Sequence, residues 1–144
     1  MKLQIFTEHA RAPKFNCGEV SFLVRHILNE EGKEFDNRNV VLVGDDYLVE
    51  INRKFLNHDY TTDVISFDLG DDGIIDGEIY ISIDRARNQA RRYKVSLEME
   101  ALRLIVHGIL HLSGWDDRTR SQKLRMRKRE NVFIQAFYQK RNKG

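Results

Sequence analysis

A single cysteine, Cys17, stands in 144 residues. That excludes an internal disulfide and any thiolate-cluster metal site, so a bound metal must rely on histidine and carboxylate. The one proline, Pro13, marks only a local break. No repeat, low-complexity tract or linker divides the chain. Long hydrophobic runs are also missing. The opening Met1-Lys-Leu-Gln-Ile-Phe-Thr-Glu-His9 turns polar too soon for a signal-peptide core, and no later apolar stretch reaches spanning length. These absences predict a cytoplasmic protein with no membrane partner.

What is present suits one compact unit. With 41% hydrophobic and 32% charged residues the composition is that of a folded chain. The length is near the commonest domain size, so residues 1–144 are expected to form a single domain. The net charge of +2 conceals an asymmetry. Residues 118–144 hold ten Lys/Arg against one acid, Glu130, which leaves a net −7 on residues 1–117. Such a basic segment is either a solvated helix face or a phosphate-binding surface.

Periodicity predicts short strands at Leu3 to Phe6, Val40 to Val43, Val64 to Phe67 and Glu78 to Ser82, the last two forming a hairpin. Asn16 precedes a helix with Val20, Leu23, Val24, Ile27 and Leu28 on one face, stopped near Gly32. Asp45 is expected to cap a helix carrying Leu48, Ile51 and Phe55. Asn57 to Thr62 reads as a loop. Asp84 is expected to cap a helix to about Lys94, with Ala86, Ala90 and Tyr93 inward and Arg85, Arg87, Arg91 and Arg92 outward. Ser96 opens a helix to about Leu112 that is apolar around much of its circumference, the pattern of a central buried helix. A last helix from about Ser121 buries Met126, Phe133, Ile134 and Phe137. The expected fold is α+β: a small mixed four-stranded sheet packed with helices around a central, metal-bearing helix.

That central helix carries His107 and His111. Residues four apart share a face, so both imidazoles can aim at one point. A helix ended by Gly114 can turn back and bring a third ligand, leaving one position open for water. Asp117 has the right offset, with Asp116 its rival. The bland alternative is a pair of core histidines satisfied by backbone partners. The glycine, the acidic pair after it and the scarcity of other polar residues on the helix's C-terminal half favour the metal. The spacing also fits zinc proteases of the His-Glu-x-x-His type. Their general base is the glutamate after the first histidine, and Gly108 stands there.

The segment His107-Gly-Ile-Leu-His111-Leu-Ser-Gly-Trp-Asp-Asp117 resembles the His-Gly-x-Leu-His-Leu-x-Gly-(Tyr/Trp)-Asp-His signature of YbeY-type endoribonucleases. The resemblance extends to Ile51-Asn-Arg-Lys-Phe55, to Asp59-Tyr-Thr-Thr-Asp-Val-Ile-Ser-Phe67 and to Gly77-Glu-Ile-Tyr-Ile81, covering most of residues 45–130. It implies a single-strand-specific, zinc-dependent endoribonuclease acting in 16S rRNA maturation and ribosome quality control, with RNA and ribosome-associated factors as partners. His107, His111 and Asp117 would hold one divalent ion, which activates a water. This chain departs from the family twice. Asp117 replaces the usual third histidine, and Leu56 stands where the family tends to carry an arginine. Arg53, Lys54 or Arg85 are the candidate phosphate contacts in its place. Asp63, Ser66 and Glu78 read as turn-capping and strand positions, and His9, His26 and His58 are left outside the metal set. Two other classes stay open: a metal-dependent protease or small-molecule hydrolase, and a non-catalytic ribosome-assembly factor with a structural metal.

Overall fold

The computed structural model describes residues 2–56, 64–68 and 74–143, with side-chain surroundings given for residues 3–33, 43–44, 46–50, 53 and 78–143. In chain order the elements are β1 (Lys2–Thr7), α1 (Cys17–Glu30), β2 (Glu34–Val43), α2 (Asp45–Leu56), β3 (Val64–Asp68), β4 (Ile74–Ser82), α3 (Ile83–Tyr93), α4 (Leu97–Leu112) and α5 (Arg120–Lys143). The chain is therefore a helix-rich mixture of helices and strands.

The strands run in the order β1-β2-β4-β3. β2 is parallel to both β1 and β4, with Ile5 opposite Val40 and Val40 opposite Ile79. β3 and β4 are antiparallel, with Ser66 opposite Ile79, as in the expected hairpin. Two strand starts differ from expectation. β2 begins at Glu34 rather than Val40, and β4 at Ile74 rather than Glu78. Glu34-Phe-Asp-Asn-Arg-Asn39 has no apolar alternation to announce it. It is a strand because its backbone finds partners on both sides, in β1 and β4.

Side-chain period then decides what is buried. Ile79 and Ile81 of β4 alternate into the core, joined by Ile83 at the start of α3, while Val20, Leu23, Val24, Ile27 and Leu28 form the inner stripe of α1. α4 packs against α1, α3, α5, β3 and β4, and its buried residues include Leu102, Ile105, Val106 and Ile109. It occupies the middle of the helical layer, as its apolar circumference predicts.

Helix ends are set locally. Asn16 and Ser96 accept from Glu19 N and Met99 N at 3.1 Å, as N-caps do. The α3 cap is Ser82, not Asp84: α3 starts directly from β4, and the Ser82 hydroxyl accepts from Arg85 N at 3.1 Å. Asp84 instead lies in the first turn, where a carboxylate complements the helix dipole, and accepts from His9 Nε2 at 2.9 Å. Asp45 is likewise inside α2 rather than before it. Tyr93, expected inward, is half exposed at the end of α3. The guanidinium of Arg127 lies 4.9 Å from its ring centre and that of Arg103 5.8 Å. The expected loop at Asn57 to Thr62 lies outside the described residues.

Candidate metal centre

His107 and His111 are one turn apart on α4, with Nε2 atoms 2.9 Å apart. The turn that follows brings the third group. Gly114 N donates to His111 O and Trp115 N to Leu110 O, both at 3.0 Å, and Gly114 takes φ 105. This pattern is a Schellman motif with glycine at the position of positive φ. It folds the chain back so that Asp117 Oδ2 lies 3.4 Å from both Nε2 atoms. A Cβ on Gly114 would meet no neighbour within 4 Å, so only backbone strain opposes a side chain. Gly114→Ala is expected to destabilise the fold by about 1–3 kcal/mol and to weaken divalent-cation binding. Urea denaturation and Co²⁺ titration check the two effects separately, and a variant with wild-type Co²⁺ affinity would show that the turn does not set the position of Asp117.

The protonation of the two rings follows from their outer partners. His111 Nδ1 is 3.1 Å from Trp115 O, and a carbonyl only accepts, so Nδ1 carries the proton. His107 Nδ1 is 2.6 Å from Glu130 Oε2, and the carboxylate likewise accepts. When neutral, rings so protonated turn their Nε2 lone pairs toward each other and toward a carboxylate oxygen. Three electron-rich atoms at such separations repel unless a cation lies among them. Ligand atoms about 2.0–2.1 Å from a tetrahedral ion are roughly 3.3 Å apart, close to the 2.9 and 3.4 Å found. The donor set therefore fits a divalent cation. Among the described residues, His107, His111 and Asp117 are the cluster able to hold one.

Asp116, the sequence rival, bonds Arg118 Nε at 3.2 Å and is not part of the cluster. The outer partners are themselves anchored. The Trp115 indole N–H donates to Glu31 Oε1 at 3.0 Å, and Arg129 Nε donates to the same oxygen at 3.2 Å. Glu130 accepts from Arg103 Nη1 at 3.0 Å through its other oxygen, and Arg103 is clamped by Glu100. Burial pushes the Glu100 carboxyl above its ordinary range, against the opposing pull of Arg103.

Sequence reasoning missed Glu130, Glu31 and Arg103. For Glu130 a signal existed: it is the one acid of residues 118–144 and falls on the same helical stripe as Met126, Phe133 and Phe137. No comparable signal marked Glu31, which is brought to Trp115 from 84 positions away.

Beside the histidines a shallow cleft is lined by Arg103, His107, Asp117, Lys123, Arg127 and Glu130, among others. Of the expected phosphate contacts among the described residues, neither Arg53 nor Arg85 is in its lining. Arg85 shares a separate polar hollow with Asn88, Gln89 and Arg92 on α3. Arg53 is exposed on α2, and the side chains of Lys54 and Leu56 lie outside those described.

The fold and site together define a mixed α/β protein with a helix-borne histidine and carboxylate cluster suited to a divalent cation. Residues 6–138 match the family model described as "Endoribonuclease YbeY", and the chain belongs to the YbeY family. It is 42% identical over 128 residues to the Endoribonuclease YbeY of Flavobacterium psychrophilum, covering 86% of this chain and 90% of that one. It is 37% identical over 134 residues to the Endoribonuclease YbeY of Chlorobaculum parvum, covering 93% and 94%. Among solved structures, the solution structure of TM1509 from Thermotoga maritima superposes with a TM-score of 0.64 at 26% identity, covering 98% of this chain and 92% of that one. Among the described residues, no helix is long and apolar enough to cross a membrane.

Proposed function

We propose that this chain is a metal-dependent endoribonuclease that hydrolyses single-stranded RNA in ribosomal RNA maturation, with zinc held by His107, His111 and Asp117. The observation that carries the reading is the convergence of two imidazole Nε2 atoms and a carboxylate beside a cleft with a basic rim, in a chain whose relatives are named endoribonucleases. When bound, the ion lowers the pKa of a water toward about 7 and polarises the phosphodiester.

The chain's own residues supply the rest. Trp115 O and Glu130 hold the two rings with Nε2 forward. Lys123 and Arg127, on the rim of the same cleft, hold the phosphates flanking the scissile bond and offset charge that builds up in the transition state. They stand on the basic segment flagged in the sequence and take the role expected of Arg53, Lys54 or Arg85. Gly108 is buried and has no side chain to act as the base a zinc protease needs. A structural zinc site is normally closed by four protein ligands. The cluster here supplies three among the described residues, which favours an open, catalytic site. The whole of residues 1–144 acts as one catalytic unit in the cytoplasm.

Cleavage of a structured RNA with single-stranded loops is the test. The expected result is endonucleolytic cutting that a chelator abolishes and added Zn²⁺ restores, with no cutting of an unstructured peptide. RNA binding should also fall steeply as salt rises, because lysine and arginine contacts release counterions. Cutting that survives the chelator would overturn the metal-dependent reading.

A further inference from the structure

Glu130 lies in the buried stripe of α5 at 2% exposure, between Met126 at 1% and Phe133 at 0%. A carboxylate there is costly unless its oxygens are matched by donors. Both are matched, and by groups of different kinds. Oε2 is 2.6 Å from His107 Nδ1, and Oε1 accepts from Arg103 Nη1 at 3.0 Å. Arg103, one turn before His107 on α4, is in turn fixed by the buried Glu100. A chain of polar contacts thus runs from Glu100 through Arg103 and Glu130 to a ring whose other nitrogen faces His111 and Asp117.

We propose that Glu130 is the positioning residue of the cation site, setting the tautomer and orientation of His107 so that Nε2 presents a lone pair. The inference rests on the reading of His107, His111 and Asp117 as that site. Chemistry explains why glutamate is needed. Glutamine has one accepting oxygen and one NH₂ group. With its oxygen on His107, the NH₂ meets the N–H of Arg103, donor against donor. With its oxygen on Arg103, the NH₂ meets Nδ1 and drives the ring proton to Nε2, the atom that must be bare. Only two accepting oxygens satisfy both neighbours. Partners of this kind typically contribute 10–100-fold to metal affinity.

The test compares wild type, Glu130→Gln and the packing control Ile134→Ala, a buried α5 residue apart from the cluster. Long-range ¹H–¹⁵N spectra of metal-free protein at about pH 8, where free histidine is neutral, read the His107 ring directly. The expected wild-type result is a proton on Nδ1, moved wholly or partly to Nε2 in Glu130→Gln. A wild-type ring protonated on Nε2 overturns the proposal without recourse to any variant. Co²⁺ titration should show Glu130→Gln weaker by about 10–100-fold, with an altered visible spectrum, and Ile134→Ala unchanged. Equal weakening in both variants would mean that Glu130 merely fastens α5 to α4, and wild-type affinity in Glu130→Gln would equally overturn the proposal. Failure of the underlying readings looks different. Wild type that binds Co²⁺ but leaves RNA intact defeats the ribonuclease reading alone. Wild type that binds no Co²⁺ defeats the cation site, whatever tautomer the ring shows.

Discussion

His111→Ala is expected to remove divalent-cation binding and RNA cleavage together while leaving the fold intact. His111 lies near the C-terminus of α4, its side chain is 29% exposed, and its polar contacts are Trp115 O and the other members of the cluster. Truncation therefore opens little buried space. It removes the Trp115 O contact along with one of three closely spaced donor atoms, so the metal-free variant should stay close in stability to metal-free wild type. The loss of affinity should exceed the 10–100-fold typical of losing an outer partner, because a direct ligand is gone. The stability contrast is equally readable. An ion at 100 times its dissociation constant stabilises the folded state by about 2.7 kcal/mol, a gain wild type should show on adding Zn²⁺ and His111→Ala should lack. Thermal denaturation with and without Zn²⁺, alongside the RNA assay, checks both. Equal Zn²⁺ stabilisation and equal cleavage by the two proteins would sink the metal-centred mechanism.

The second large effect is expected at Arg103. Its guanidinium bridges Glu100 and Glu130, whose side chains are 1% and 3% exposed. Arg103→Met keeps most of the side-chain volume but takes the guanidinium from buried Glu100 and leaves Glu130 with His107 alone. Breaking a buried pair by removing one partner costs about 3–5 kcal/mol. The loss should depend on pH. Burial raises the Glu100 pKa, so the folded state binds that proton more tightly than the unfolded chain does. Its contribution to stability is then greatest in acid and declines as pH rises from the ordinary carboxylate range through the raised folded value. Arg103 opposes the rise, and its removal extends the decline to higher pH. Urea denaturation should therefore find the variant closest to wild type at about pH 5 and further below it at about pH 8. A deficit that stays constant, or shrinks with rising pH, would show that the carboxylates are not the cause.

Much of this organisation was legible in the residues because it depends on local chemistry. A helical period of 3.6 puts His107 and His111 on one face. The glycine at position 114 permits the positive φ that ends α4, and Asn16 and Ser96 announce their helices through hydroxyl and amide groups that reach backbone N–H. The apolar stripes of α1 and α5 likewise follow from spacing. Where local signals competed, they misled. Asp84 was as good a cap as Ser82 until the continuation of β4 into α3 settled which residue precedes the first turn. Tyr93 looked inward by period, but it is the last residue of α3 and remains half exposed.

The sequence by itself determined the donor types of the candidate site and their spacing, since a side chain's chemistry and its place on a helix are carried by the chain locally. Only the tertiary structure decided which nitrogen of each ring faces Asp117. That choice belongs to Glu130 on α5, 23 positions from His107, and to the carbonyl of Trp115, whose indole is pinned by Glu31 from the end of α1. The same packing turned Asp116 toward Arg118 and Asp117 toward the histidines, and placed Lys123 and Arg127 on the rim of the cleft. A hydrogen bond between distant segments exists only once the core has brought them together, so no window of sequence contains it.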